Sequence, residues 1–264
     1  MRLSKTYNIR KCDLYLIQFS LQTKYGHTDQ RLLIKMYDDK IMYFNSKCRL
    51  KDGFFFTVLS FRGMYSVKVL RDGYSKFENG VYKANGTATL IVGPRFKVIV
   101  DTLSAWDKDI LLKSLLEQGV SPDQVNVVVN THGHPDHVGN NNLFITGENI
   151  IHIMGHAIHS NDTYFTDVSL EAGEVYNIDE DELTVFPTPG HTLDSVSVKV
   201  KTEDGVVIVA GDTFEKEEDI EDESIWISAG SENQEKQQES RRRILREADW
   251  IVPGHGPMFK NIYK

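Results

Sequence analysis

Cysteine is nearly missing: Cys12 and Cys48 are the only two in 264 residues. A disulfide framework is therefore not expected, and a reducing cytoplasmic or nuclear setting fits. Neither cysteine lies in a ligand motif, so thiol catalysis is not expected either. No stretch approaches the roughly 20 apolar residues of a membrane span, so no membrane partner is expected. The apolar piece at residues 14–17 is short and has no small-residue cleavage pattern after it, so no secretory signal is read. Positive charge is in deficit, with 30 Lys and Arg against 38 Asp and Glu and a net charge of −8. That argues against a long basic groove for a nucleic-acid backbone. It leaves room for a local site in which bound metal supplies the positive charge. Internal repeats and low-complexity tracts are also lacking.

What is present is ordinary globular usage, 40% hydrophobic and 26% charged, on a chain long enough for one large domain. Residues 1–52 hold scattered apolar pieces and match nothing in the rest of the pattern; they read as an N-terminal extension, with an extra strand pair, a flexible segment and a doubtful translation start as the alternatives. The main domain is expected over residues 53–264. Residues 54–59 and 65–70 read as strands, and residues 74–83 as irregular. A hairpin is expected from 88–92 and 97–100 around Gly93-Pro94. Ile110, Leu111, Leu115 and Leu116 mark a helix over 104–118, its leucines facing the core. Val196, Val198 and Val200 alternate and pair with the run at 206–210. Alternation of strands and helices in two halves suits a layered α/β architecture.

The chemistry concentrates in Thr131-His132-Gly133-His134-Pro135-Asp136-His137, which follows a β-branched run at 125–130. Loops at strand ends carry chemistry. His132 and His134, two apart, project to one side of an extended backbone, and Asp136 and His137 can face the same space. Imidazole and carboxylate are the usual ligands of catalytic zinc and similar first-row metals. Later candidates each follow an apolar run: His191 in Thr188-Pro189-Gly190-His191-Thr192, Asp212 after Gly211, and His255 in Gly254-His255-Gly256.

This order, H-x-H-x-D-H, then GH, GD and GHG, resembles the metallo-β-lactamase superfamily, and within it the glyoxalase II family. Segments 131–140, 209–215, 238–241 and 252–257 carry the likeness. The resemblance implies an αββα sandwich of two mixed sheets with a metal site at one edge. It implies one metal on His132, His134 and His191, a second on Asp136, His137 and His255, and Asp212 bridging both. The cofactors would be two divalent ions, zinc first, with iron or manganese as alternatives. Asp136 and Asp212 would be the catalytic carboxylates, with hydroxide shared by the metals as nucleophile. Aspartate rather than cysteine at 212 is similar to the thioesterases and nucleases of the superfamily. The implied activity is an endoribonuclease acting on histone pre-mRNA 3′ ends, RNA being the partner. The alternative is thioester hydrolysis of an acylglutathione type. A non-hydrolytic iron module is the least favoured reading, and a homodimer is admitted.

The remaining candidates stay open at this stage. Asp101-Thr102 reads as a turn or cap, or as a carboxylate behind a histidine ligand, and the resemblance favours the second. His152 reads as a core or edge histidine. His156 reads as a loop histidine or a substrate contact. The acidic run 215–223 and the triplet Arg241-Arg242-Arg243 read as solvated surface.

Overall fold

The computed structural model describes residues 2–9, 12–23, 26–37, 40–42, 64–146 and 150–264, the first four stretches by their backbone. The chain divides into two compact units, Met1–Gly63 and Met64–Lys264. In the first, β1 (Arg2–Ile9), β2 (Cys12–Thr23), β3 (Gly26–Tyr37) and β4 (Lys40–Met42) form an antiparallel sheet in that order. The strand expected at 54–59 lies outside the described residues.

The second unit carries two mixed sheets. One has the order β13 (Thr163–Tyr164), β12 (Ala157–Ser160), β11 (Ile151–Met154), β10 (Val127–Asn130), β9 (Lys97–Val100), β8 (Ala88–Val92), β5 (Ser66–Arg71). Within it β9, β10 and β11 run parallel. The other has the order β14 (Tyr176–Asp179), β15 (Leu183–Pro187), β16 (Val196–Thr202), β17 (Gly205–Gly211), β18 (Trp250–Pro253), β19 (Phe259–Lys260). There β17 and β18 are the parallel pair. The helices are α1 (Lys108–Glu117), α2 (Pro135–Val138), α3 (Ser224–Ala229) and α4 (Gln234–Glu247).

Side-chain alternation builds the layers. On β9 and β10, Val98, Val100, Val127 and Val129 turn into the cluster shared with Val185, Val198, Val207, Val209 and Val252 of the other sheet. The intervening Ile99 and Val128 turn outward, onto Leu111 and Leu115 of α1. On β17, Ile208 and Ala210 likewise turn away from that interior, onto Ile244 of α4. Three apolar clusters between four layers make the expected helix–sheet–sheet–helix sandwich.

The hairpins at 88–100 and 196–211 form in the expected pairing, with Thr89 opposite Val100 and Val198 opposite Val209. Two expectations are corrected. Residues 74–83 are not irregular: β6 (Tyr74–Glu78) and β7 (Val81–Asn85) pair as a hairpin. Its strands bear mostly exposed side chains, so the apolar alternation that signals a strand is lacking. On α1 only Leu111 and Leu115 are buried, while Leu116 is exposed. A helix one layer from solvent buries a single stripe, and Leu116 lies off it. No helix among the described residues is long and apolar enough to cross a membrane.

Candidate metal centre

Strand direction explains why distant residues meet. β9, β10 and β11 end at one edge of their sheet. β15, β17 and β18 share one direction in the other, since β15 is antiparallel to β16 and β16 to β17. Asp101 follows β9, His132 and His134 follow β10, His191 follows β15, Asp212 follows β17 and His255 follows β18. Short turns at these ends carry the side chains, as they do in other open α/β sheets.

The donor atoms fall into overlapping groups. His132, His134, His191 and Asp212 form one, Asp136, His137 and His255 a second, and Asp212, Glu215 and His255 a third, each within 4.8 Å. His134 Nδ1 lies 2.9 Å from His132 Nε2 and 3.0 Å from His191 Nε2. Asp212 Oδ2 lies 3.1 Å from His255 Nε2, 3.4 Å from His191 Nε2 and 3.6 Å from His132 Nε2. Its Oδ1 lies 3.2 Å from His137 Nε2. Asp212 thus stands between the two sets, where the resemblance implies a bridge. Asp136 Oδ2 lies 3.9 Å from both His137 Nε2 and His255 Nε2.

The outer nitrogens of these rings are anchored. His137 Nδ1 donates to Asp101 Oδ2 at 2.8 Å, His191 Nδ1 to Gly230 O at 2.8 Å, and His255 Nδ1 to Asn85 O at 3.0 Å. A proton held on each outer nitrogen leaves a lone pair on the inner one, aimed at the shared space. His137 Nε2 and Asp212 Oδ1 are buried with no hydrogen-bond partner. Convergent lone pairs and orphaned acceptors in a buried pocket are what a cation satisfies, so the residues fit a metal centre.

Asp101 also accepts from Thr131 N and Thr131 Oγ1, each at 2.8 Å, tying β9 to the ligand loop. Its φ of +58° turns the chain sharply at the strand end. A non-glycine residue in this conformation marks a constrained site, and Asp tolerates it better than most. The role read from the resemblance, rather than the plain turn, is the one its contacts display. The short helix α2 is pinned by His137 O, which accepts from Thr102 N and Asn130 Nδ2, both at 2.8 Å.

Two glycines are demanded by close approach. A Cβ on Gly254 would sit 1.9 Å from Asp212 Oδ1. Gly211 has φ +54°, and a Cβ there would meet Thr131 Oγ1 at 2.5 Å. The backbone must pass this near to bring Asp212 to the histidines.

Charge in the pocket is steep. Burial pushes the His137 imidazole down, but the carboxylates of Asp212 and Asp101 outweigh it and hold the ring well above its ordinary value. His255 is treated the same way, burial opposing Asp212, and is pushed up to about 9. For Asp212, burial is outweighed by His137, His255 and His132, which hold it well below the carboxylate range. Burial drives His132 well below its ordinary value and lowers His191. Burial, then the charge of Asp212, raises Glu215 to about 8.

The helix α4 holds two ligand loops at once. Gln237 Nε2 donates to Asp212 O at 3.0 Å, and Arg241 Nη1 to Thr213 O at 2.9 Å. Ser240 Oγ donates to Pro189 O at 2.8 Å, near His191. Arg241 Nη2 also meets Asp219 Oδ1 at 2.8 Å, and the guanidinium lies 4.1 Å from the Phe214 ring centroid. Two surface expectations are therefore corrected. Arg241 is buried, and so are Glu215 and Asp219 of the acidic run. Gln237, Ser240, Arg241 and Ile244 share one helix face, and polar residues on a core-facing stripe were the signal available. Arg242 is exposed, as expected. Arg243 is half-buried, over Phe186 at 4.4 Å.

His152 is half-buried on β11, a strand paired on both sides by β10 and β12, its ring nitrogen 3.4 Å from Phe144 O. His156 sits in the turn between β11 and β12, and its Nε2 is buried without a partner. It belongs to none of the donor groups among the described residues. Beside His255 opens a cleft of about 180 Å³ lined by Lys76, Phe77, Tyr82, Glu215, Lys216 and Ile225, with small residues between. The Phe77 and Tyr82 rings lie 4.8 Å apart and are largely exposed.

Residues 81–255 match the family described as the metallo-beta-lactamase superfamily. The chain is 45% identical over 201 residues to metallo-beta-lactamase domain-containing protein 1 of Xenopus laevis, covering 75% of this chain and 82% of that protein. It is 35% identical over 226 residues to the protein of the same name from Homo sapiens, covering 74% and 82%. Among solved structures, a metallo-beta-lactamase-like protein from Thermotoga maritima aligns with a TM-score of 0.53 at 21% identity, covering 75% of this chain and 99% of that one. At that identity the likeness is one of fold.

Proposed function

Since this chain belongs to the metallo-β-lactamase superfamily, we propose that it is a dinuclear metal-dependent hydrolase cleaving a phosphodiester of single-stranded RNA. Histone pre-mRNA 3′ ends are the substrate class that its resemblance implies, in a cytoplasmic or nuclear setting. The observation that carries the hydrolase reading is the pair of donor groups adjoining at Asp212. Five imidazoles and two carboxylates around one space favour zinc, with iron and manganese as alternatives. Divalent cations bound there would supply Lewis acidity and an acidified water. His132, His134 and His191 would hold one cation, and Asp136, His137 and His255 the other.

The chain's own groups do the rest. Asp101 keeps the proton of His137 on Nδ1, so that Nε2 remains a ligand. Asp136 is the more open catalytic carboxylate, 21% exposed against 4% for Asp212. In this reading it takes a proton from water and returns it to the departing 3′ oxygen. The cleft beside His255 favours RNA over a small acyl substrate. Phe77 and Tyr82 offer faces on which bases stack, and Lys216 offers charge to phosphate.

Thioester hydrolysis of the glyoxalase II type is the second reading, favoured by the net charge of −8. One preparation of known metal content, given a stem-loop RNA and an acylglutathione side by side, separates them. We expect metal-dependent RNA cleavage leaving 5′-phosphate and 3′-hydroxyl ends. A 2′,3′-cyclic phosphate would refute water as the nucleophile. Rapid thioester hydrolysis without RNA cleavage would transfer the function to the second reading.

A further inference from the structure

The seven ligands implied by the motif leave one acid of the pocket without a task. Glu215 is 2% exposed, and its Oε1 is buried with no hydrogen-bond partner. No lysine or arginine among the described residues pairs with it. Arg241 is committed to Asp219 Oδ1 and to the carbonyls of Thr213 and Asp219. Glu215 lies among other acids: its N–H donates to Asp219 Oδ2 at 2.6 Å, and its carboxylate groups with Asp212 and His255. A buried carboxylate without a cation is unfavourable, the more so beside like charges.

We propose that Glu215 is a metal ligand, joining Asp212 and His255 around the second cation. Glu215 Oε2 stands 3.9 Å from His255 Nε2. Two donors each about 2.0–2.2 Å from one ion can be no more than roughly 4.4 Å apart, so this separation suits a shared ion. His255 Nε2 belongs both to the group with Asp136 and His137 and to the group with Asp212 and Glu215. One imidazole nitrogen serves one cation, so the two groups describe alternative or joined shells of the same ion, not two ions. Glu215 gives that ion a further anionic oxygen. The backbone prepares this placement, because His255 N donates to Glu215 O at 2.8 Å and locks the two ligand loops together.

The inference rests on the two-metal reading, and the experiment separates their failures. Wild type and Glu215→Gln are stripped with a chelator and titrated with zinc against a competing chromophoric chelator. A parallel titration with cobalt(II) reads the visible absorption bands. Glutamine keeps the size and offers a neutral oxygen. We expect two equivalents in the wild type. In the variant the first should be unchanged and the second at least tenfold weaker, with altered cobalt bands. A second equivalent held with wild-type affinity and bands would overturn the role of Glu215 and leave two-metal binding intact. Fewer than two equivalents in the wild type would overturn both. If Glu215→Gln does not yield folded protein, Glu215→Asp withdraws the oxygen by one methylene and is read by the same criterion.

Discussion

Replacing Asp101 by asparagine tests how the protein holds its ligands without touching one. The carboxylate has three neighbours at 2.8 Å: Thr131 N, Thr131 Oγ1 and His137 Nδ1. An amide has one acceptor atom where the carboxylate has two. If its oxygen stays on Thr131 N, the NH2 faces His137 Nδ1, which must then lose its proton. That proton moves to Nε2, the nitrogen aimed at the metal space. If the amide turns over, two donors face each other at Thr131 N in a site 1% exposed to solvent. Either way one buried polar group goes unsatisfied, at about 1–3 kcal/mol. Outer hydrogen-bond partners of metal-bound histidines carry roughly 10–100-fold in metal affinity, so a loss of that order is expected. Asparagine tolerates the positive φ of this position. Asp101→Ala does not, and should add about 1 kcal/mol of backbone strain. Competition titration of zinc, with urea denaturation of the chelated forms, reads both effects. Asp101→Asn binding zinc within twofold of wild type would refute the anchoring role and the tautomer derived from it.

Arg241→Met should destabilise the fold by about 3–5 kcal/mol, because it strands the buried Asp219 carboxylate. Adding Asp219→Asn should recover part of that loss in urea denaturation, and no recovery would show that the pair is not the cause. Gly254→Ala drives a methyl group into Asp212. It should lower bound metal by at least half in elemental analysis and cost about 1–3 kcal/mol of stability. For Glu247, burial is outweighed by Lys199 and Arg243, which set its carboxyl below the ordinary 4.5. The unfolded chain then takes up this proton first. The ion pair therefore stabilises above about pH 4.5, and its contribution is lost as pH falls through the lower folded value. The group is about a third exposed, so the effect should stay below about 1 kcal/mol. Glu247→Gln should remove that part of the acid destabilisation, and an unchanged difference between pH 3 and pH 6 would contradict it.

The amino-acid sequence by itself determined the sandwich and brought forward the histidines and aspartates that the structure gathers into the donor groups. Val127, Val129, Val207 and Val209 alternate with residues that face the helices, and period two admits one pairing of faces per strand. The candidate motifs were legible because imidazole and carboxylate cluster at the ends of β-branched runs, in the order that resembles the superfamily. What only the tertiary structure decided is where polar residues outside the motifs went. Glu215 and Asp219 lie in a run that looks solvated, yet α4 closes over them, and Arg241 rather than water meets Asp219. The hairpin of β6 and β7 bears exposed Phe77 and Tyr82, so no buried face announced it, and it is pairing alone that puts them on the rim of the cleft. Burial is a property of what packs on a residue from afar. For charged side chains that partner is set by the fold, and neighbours in sequence do not reveal it.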